Sequence, residues 1–465
     1  MSQDRKALER LTLRFAEHMA QLRYEDVPTD VADKARLIIR DAIGNQIAAS
    51  AISEPARRMV ELIESWGGAP QSTIIGHGIR VPAPNAALCN AMMGHGIELD
   101  DAHGTGLIKA GSVLVPSVFA AAEISHSSGR DVVAAVVGGY EIAIRVAKAI
   151  NPGHRQRGYH TTGTVSTLGA AAATAKLLGC NVEAIAWAIG LAAMQSAGIQ
   201  AYLDDACMAK PFSPGKAAFN GILAGIMASR GFTGPRMALE SREGFFNAFT
   251  DNVRLDEFEH DLGHRWAILE VGFKPHAACR YAHGPIDLAQ QAFHENGVRL
   301  TSMESCTVSM SELAIRQASK PKAANLNAAM GSTEFSIALA LAVGNNGLKE
   351  YWEGFKKPEI HEMAKRVRVM QEPAFGLAGR QAALDITLTD GHHVQLRSQE
   401  PKGEPNNPMS HEEMERKYLA MTTMVVDEAQ ARKVADMVMG LELIRDASII
   451  PQSTRIASGP ALRAA

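Results

Sequence analysis

Residues 384–397 read Leu384-Asp-Ile-Thr-Leu-Thr389, then Asp390-Gly391, then His392-His-Val-Gln-Leu-Arg397. Apolar and polar side chains alternate on both sides of the Asp-Gly pair, which favours two antiparallel strands joined by a tight turn. Residues 305–311 and 367–370 alternate in the same way, and a helical pattern runs roughly over 332–343. We therefore predict an α+β domain over residues 271–399.

Helical patterns dominate the sequence before this domain. Apolar residues recur with helical period from Val31 to Ile47, and Thr29 is a candidate cap. Ala-rich helical segments follow over 82–100, 112–127, 130–149, 163–179, 181–198 and 215–229. Glycines inside or beside them allow close approach between helices. These features predict a helical bundle, several of whose helices are buried on all sides.

After residue 400 the pattern returns to helix. Ser410 and Glu413 form a capping box ahead of a helix to about 422, and a second helix is expected over 427–441. The prediction is therefore mainly α. A large all-helical bundle domain, discontinuous in sequence, covers 1–270 and 400–465, and the smaller α+β domain is inserted between its two segments. The stretch from Pro451 is expected to fray.

Composition narrows the function. The chain has 465 residues and a net charge of −3, without a basic tract, so nucleic acid is not an expected partner. No apolar run approaches the ~18 residues of a spanning helix, and the charged N-terminus lacks the core of a signal peptide. Five scattered cysteines without CxxC spacing fit a reducing compartment. We expect a cytoplasmic protein that does not bind membranes.

The segment from His95 to His103 is the densest acid/base cluster, with three carboxylates and two imidazoles in nine residues. If residues 82–101 form one helix, Glu98 and Asp101 share a face and Asp100 points elsewhere. A loop of small residues follows, and it carries Lys109. Such a helix end is suited to general acid/base chemistry, although an ordinary acidic helix terminus remains the alternative.

Two further clusters place a cation or an imidazole at the start of a helix. In Arg157–Gly163, His160 stands beside Thr162, and exposed helical N–H groups there can bind an anion. The alternative is that Thr162 is only an N-cap. In Lys210–Gly215 a lysine precedes another helix, and a solvated lysine is the alternative.

The segment from Lys274 to His283 also contains Arg280 and Tyr281, at the proposed domain junction. Its alternative is a charged linker. On the helix over 130–149, Tyr140 can exchange a proton, but Glu141 and Arg145 favour an ordinary ion pair. His392 and His393 resemble a metal pair, yet neighbouring strand residues face opposite sides, so a structural role is favoured.

Cations at helix starts suit a substrate with several carboxylates. The sequence shows no Walker loop, no strand–GxGxxG–helix, no HExxH and no GxSxG. We therefore expect chemistry without a nucleotide, a metal, an acyl-enzyme or any other cofactor.

Five motifs together resemble the MmgE/PrpD family, which includes 2-methylcitrate dehydratase, cis-aconitate decarboxylase and iminodisuccinate epimerase. The motifs are HGIELDDAH with KAGSVLVPS, RGYHTTGT, AKPFSPGKAA, FKPHAACRYAH and KGEPNNPMSHEEMERKY. They occur in the family's order along the whole chain. The resemblance implies a discontinuous helical domain with a smaller α+β domain, an active site between them, and a homodimer.

The resemblance also implies roles for particular residues. His160, Lys210, Lys274 and His283 match family positions, and Glu98, Asp101 and Lys109 fall in the acidic motif and the loop after it. The chain departs from the family pattern at Ala102, Lys109 and Ser213, where threonine, histidine and histidine are usual, and His103 is a candidate substitute for a lost imidazole.

The implied reaction is proton abstraction next to a carboxylate of a small di- or tricarboxylate, by a dehydratase-like lyase. The candidate residues for proton transfer are Asp101, His103 and Lys109. His160 and Lys210 are the further catalytic candidates, for stabilising the developing charge together with Lys274 and Arg280. The candidates for binding substrate are Glu98, Lys274, Arg280, Tyr281 and His283. An epimerase of a dicarboxylate such as an iminodisuccinate-like compound is the alternative, and an inactive helical scaffold is the alternative of another class.

Overall fold

The computed structural model describes residues 8–205, 207–259 and 262–462; residues 1–7 and 463–465 of the predicted helical domain lie outside these ranges. The fold is mainly α with a smaller α+β part, as the sequence predicts. In the first part of the chain the α-helices are Leu11–Gln21, Thr29–Ile52, Glu54–Trp66, Ala83–His95, Gly111–Ser125, Gly129–Ile150, Gly153–Gln156, Thr161–Leu177, Val182–Gln195, Phe212–Ser229, Phe245–Phe249 and Asp256–Glu259.

The Thr161–Leu177 helix lies at the centre of this bundle. It packs against the neighbouring helices Gly111–Ser125, Gly129–Ile150, Val182–Gln195 and Phe212–Ser229. A Cβ on Gly169 would lie 2.5 Å from the carbonyl oxygen of Gly139, so two helices cross here at a distance that only glycine allows. The small residues of the sequence therefore serve close helix packing.

The α+β part is built around one four-stranded sheet. Its strand order is Val367–Gln371, Met303–Met310, Ala382–Leu388 and His393–Ser398, with the first pair parallel and the others antiparallel. The last two strands form the predicted hairpin around Asp390-Gly391. The helices of this part are His283–His294, Glu312–Ala318, Leu326–Met330, Thr333–Val343, Leu348–Gly354 and Pro358–Ala364.

Two more strand pairs are short. Ser72–Thr73 pairs with Arg80–Val81, and Ala102–His103 pairs with Val271–Gly272, both antiparallel. The 3-10 helices are Tyr24–Asp26, Ala201–Leu203, Ala267–Glu270, Arg280–Ala282, Leu300–Ser302, Pro373–Phe375 and Leu441–Leu443.

The chain ends with the helices His411–Thr422, Glu428–Met439 and Ile449–Ser453. The first two pack against Thr29–Ile52. A Cβ on Gly44 would lie 2.7 Å from Tyr418 Cδ2, so glycine permits this contact. The late helices thus return to the first helical part, while the exact domain limits of 1–270, 271–399 and 400–465 stay a prediction.

Three local predictions are wrong. The helix expected over 82–101 ends at His95. Thr29 is the first helical residue and makes no side-chain cap, because Pro28 holds the N-cap position. The segment after Pro451 does not fray at once: Pro451 and Thr454 are buried, and Thr454 Oγ1 accepts a hydrogen bond from the Gly76 N–H. None of the described helices combines the length and apolar character needed to cross a bilayer.

Candidate active site

A cleft of about 1100 Å³, including the part open to solvent, lies between the helical bundle and the α+β part. Its walls come from residues 95–109, the start of the Thr161–Leu177 helix, residues 202–211, and residues 279–281 and 317–331. Four of the five sequence motifs therefore contribute to one crevice.

The acidic segment is a loop rather than a helix end. Gly96 follows the Ala83–His95 helix, and Glu98 has a positive φ of 56°, a left-handed conformation that stops the helix. Ala102–His103 then pairs with Val271–Gly272, which places the loop beside Lys274.

Lys274 is fully buried and holds two carboxylates of this loop. Its Nζ donates to Glu98 O at 3.0 Å, to Glu98 Oε2 at 3.2 Å and to Asp100 Oδ1 at 3.0 Å. The prediction that Glu98 and Asp101 share a face is therefore wrong, since Glu98 acts together with Asp100. The ammonium of Lys210 contacts the other oxygen of Glu98, so Lys210 is not the solvated lysine of the alternative.

These ion pairs fix the charges of the loop. Burial favours the neutral carboxyl, but Lys210 and Lys274 outweigh it and hold the pKa of Glu98 well below its usual value. Burial also favours the neutral form of Asp100, but the charges of Lys274 and His95 outweigh it and lower the pKa of Asp100. Both side chains are therefore carboxylates at neutral pH.

Asp101 points away from the cleft. Its carboxylate accepts a hydrogen bond from Tyr140 Oη at 2.7 Å and one from the Gly111 N–H at 3.1 Å. Burial, followed by the charges of Asp100 and Asp41, raises the pKa of Asp101 to about 7 against the effect of Tyr140. Tyr140 is fully buried and serves this contact.

Lys109 lines the cleft. Its backbone N–H donates to Thr162 Oγ1 at 3.1 Å. Thr162 is not the N-cap of its helix, because that position is held by His160. The Lys109 ammonium group has neither a hydrogen bond nor an ion pair with any residue that the structure describes. Burial, followed by the charge of Lys274, lowers the pKa of Lys109 to about 8. Lys109 is thus a cation available to a ligand.

Two imidazoles face each other in the wall of the cleft. The ring centroids of His95 and His160 are 5.8 Å apart, and both side chains are buried. His160 Nδ1 lies 2.9 Å from Ser213 Oγ, and His95 Nδ1 lies 2.6 Å from Asp100 Oδ2. Burial and nearby cations lower the pKa of His160, so its imidazole is neutral.

His103 also lines the cleft, but both of its ring nitrogens are engaged. Nδ1 accepts from the Gly106 N–H at 3.0 Å, which requires the ring proton on Nε2, and Nε2 donates to Glu270 at 3.1 Å. In this arrangement His103 has no nitrogen available for a substrate proton.

The Lys274–His283 segment divides between the cleft wall and the protein behind it. Arg280 pairs with Glu404, with Nε to Oε1 at 2.9 Å, and His283 is buried between Arg280 Nη1 and Ala278 O. The hydroxyl of Tyr281 lines the cleft without a hydrogen bond to any described residue, and the Arg380 guanidinium lies 4.3 Å from its ring centroid.

Of the predicted site residues, the cleft therefore brings together Glu98, His103, Lys109, His160, Lys210, Arg280 and Tyr281. Asp101, Lys274 and His283 lie behind its wall. Their individual roles stay predictions.

Several cleft residues were given no role in the sequence prediction: His95, Arg155, Tyr202, Gln317, Lys320 and Arg380. Arg155 is the most informative, because its Nη2 donates to Gln317 Oε1 at 2.5 Å and no described carboxylate pairs with it. The basic run beside the Arg157–Gly163 motif was the one local signal for it. Arg380 lies in no motif.

The fifth motif supports the cleft from behind. Glu404 holds Arg280, while Lys417 Nζ donates to Leu99 O at 2.7 Å and pairs with Asp41 at 2.6 Å. Among the described residues, no three His, Cys, Asp or Glu side chains converge in a way that would hold a metal ion.

Comparison with known proteins covers nearly the whole chain. Residues 13–257 match the MmgE/PrpD N-terminal domain, and residues 276–443 match the MmgE/PrpD C-terminal domain. A cis-aconitate decarboxylase of Aspergillus terreus is 26% identical, over 96% of each chain. A cis-aconitate decarboxylase-like protein of Aspergillus oryzae is 26% identical over 94% of this chain and 96% of its own. The cis-aconitate decarboxylase of Homo sapiens is 24% identical over 97% and 95%.

Proposed function

The chain belongs to the MmgE/PrpD family of enzymes, and from that premise we propose that it is a lyase that takes a proton next to a carboxylate of a small tricarboxylate. The observation that carries the proposal is Lys109, whose half-buried side chain lines the cleft with an ammonium that has no hydrogen-bond or ion-pair partner among the described residues. A partly desolvated cation that forms no ion pair favours binding of an anion.

Arg155 and Lys320 add positive charge to the same cleft, and no described carboxylate forms an ion pair with either. Lys210 and Arg280 are already paired with Glu98 and Glu404. A substrate with two or three carboxylates matches the cations that remain. The relatives named as cis-aconitate decarboxylases support a tricarboxylate in particular.

The chemistry follows from this charge distribution. When a C–H bond next to a carboxylate breaks, its electron pair moves into that carboxylate as an enediolate. The ammonium of Lys109 compensates the added charge, which lowers the barrier. The electron pair then returns from the enediolate, forms a double bond and expels hydroxide from the neighbouring carbon. The hydroxide takes up a proton and leaves as water. The same carbanion forms when CO2 leaves instead of a proton.

The test is a mass-spectrometric panel of small di- and tricarboxylates, headed by cis-aconitate and citrate, in D2O. Loss of water from a tricarboxylate by the wild type supports the proposal, whereas loss of CO2 would keep the lyase but replace proton abstraction with decarboxylation as the step that forms the carbanion. Lys109→Met should lower turnover by about 100-fold or more, whereas Lys365→Met, at a side chain that is 61% exposed, should not. Deuterium uptake without loss of water or CO2 would replace the lyase with an epimerase, and no reaction with any acid would refute both.

A further inference from the structure

His95 is the last residue of the Ala83–His95 helix, and its side chain lines the cleft although only 1% of the residue is exposed. The sequence prediction assigned it no role. Its environment differs from that of the other histidines around the cleft.

The hydrogen bond to Asp100 determines which ring nitrogen carries the proton. Asp100 Oδ2 lies 2.6 Å from His95 Nδ1, and Asp100 Oδ1 accepts from Lys274 at 3.0 Å. A carboxylate held by an ammonium can only accept, so the imidazole proton is on Nδ1. The lone pair of the neutral ring is therefore on Nε2.

Nε2 of His95 is buried and has no hydrogen-bond partner among residues 8–205, 207–259 and 262–462. Native proteins seldom leave a buried polar atom unpaired, so this atom requires an explanation. The ring of His160 lies beside it, with 5.8 Å between centroids, and Lys109 acts on it electrostatically. A substrate atom in the cleft would supply the missing partner.

The other imidazoles are less suited to this task. Both nitrogens of His103 and of His283 are engaged. His160 contacts the hydroxyl of Ser213, which can donate or accept and therefore leaves the tautomer unfixed. Among these four, His95 alone combines a carboxylate partner on one ring nitrogen with a second nitrogen that has no partner among the described residues.

We propose that His95 is a catalytic residue, the base whose Nε2 removes the substrate proton next to a carboxylate, and that Asp100 is its positioning residue. The inference rests on the proposed function. The C–H bond breaks, the proton passes to Nε2, and the electron pair enters the substrate carboxylate as the enediolate. The imidazolium that forms is stabilised by Asp100, and the return of this proton reverses the step.

The experiment measures deuterium uptake from D2O into the substrate found in the acid panel, with wild type, His95→Ala, His95→Gln and His103→Ala. His95→Ala should slow uptake about 100-fold or more. Added imidazole, which can occupy the vacated space, should raise the rate of deuterium uptake by His95→Ala at least about tenfold. His95→Gln should be slow and not rescued, because its side chain fills that space, and His103→Ala should not be rescued.

A merely structural role would not give rescue. Uptake by His95→Ala within about threefold of the wild type would overturn the proposal, as would equal rescue of His95→Ala and His103→Ala. If His95→Ala does not fold, His95→Gln and a nitrogen-15 NMR titration of the wild type decide. The Nε2 resonance, assigned with His95→Gln, should be that of an unprotonated nitrogen and should shift with citrate or cis-aconitate.

Failure of the proposed function would look different. In that case the wild type would leave every acid of the panel unchanged. The NMR titration then decides on His95 alone, and an Nε2 resonance that ignores both acids overturns the assignment.

Discussion

Lys109 is the residue at which burial and charge act most directly on the proposed chemistry. The cations of Lys210 and Lys274 disfavour its protonation, and the carboxylates of Glu98 and Asp100 favour it. Because burial and Lys274 prevail, the pKa of Lys109 falls to about 8, and the group is still mostly an ammonium at neutral pH. The ammonium form is the one that can bind a carboxylate.

This gives a pH prediction. The value of kcat/KM, which follows the free enzyme, should decline as the pH rises through about 8, because Lys109 then loses its proton. In Lys109→Arg the guanidinium stays charged, so the declining limb should move to higher pH even if the maximum is lower. The measurement is a profile from pH 6 to 10 for both proteins. An alkaline limb at the same pH in Lys109→Arg would assign it to another group.

At the scale of elements, the sequence correctly predicted those features that depend only on residues close together in the chain. The hairpin around Asp390-Gly391 and the capping box of Ser410 with Glu413 form as expected, because alternation and capping act within a few residues. The helix end at His95 was missed, because it depends on the left-handed conformation of Glu98 and on lysines more than a hundred residues away.

Lys417, on the His411–Thr422 helix, contacts both the helical bundle and the acidic loop of the cleft, so we expect it to affect both the stability of the fold and the site. This lysine holds Leu99 O in the acidic loop and Asp41 in the Thr29–Ile52 helix. Burial raises the pKa of Asp41 against the effect of Lys417, so the carboxylate depends on its cation. Removal of one partner of a buried pair leaves an uncompensated charge.

Lys417→Met should therefore lower the free energy of unfolding by about 3–5 kcal/mol and should also lower kcat/KM, because the acidic loop loses an anchor. Arg416→Met, at an exposed position of the same helix, should change neither. The measurements are chemical denaturation and initial rates. Asp41→Asn combined with Lys417→Met should regain part of the stability, and a double variant no more stable than Lys417→Met would contradict this account.

At the scale of the whole molecule, the cleft depends on contacts that no local pattern contains. Arg155, Gln317 and Arg380 come from three distant segments and line the same space. The sequence motifs identified the segments around the acidic loop and Lys274. The shared contact of Glu98 and Asp100 with Lys274, and the position of Arg155 beside Gln317, arise only when the helical and α+β parts meet.

The two parts of the chain are joined where two connections run side by side. The Phe273 N–H donates to Gly403 O at 2.8 Å, and Arg280 and Glu404 pair next to this contact. Gly403 has a φ of 87°, and a Cβ there would lie 2.0 Å from Phe273 O. The crossing therefore accommodates only glycine, for reasons of conformation and of space.

The matched control is Gly391, which has the same φ of 87° but no atom within 4 Å of an added Cβ. Gly391→Ala should cost only the backbone strain, about 1–2 kcal/mol, and leave catalysis unchanged. Gly403→Ala should cost clearly more and should lower kcat/KM, because the displaced connection carries Lys274 and Arg280. Unfolding and initial rates measured on both variants test this. Equal losses of stability with unchanged rates would mean that the crossing does not hold the cleft together.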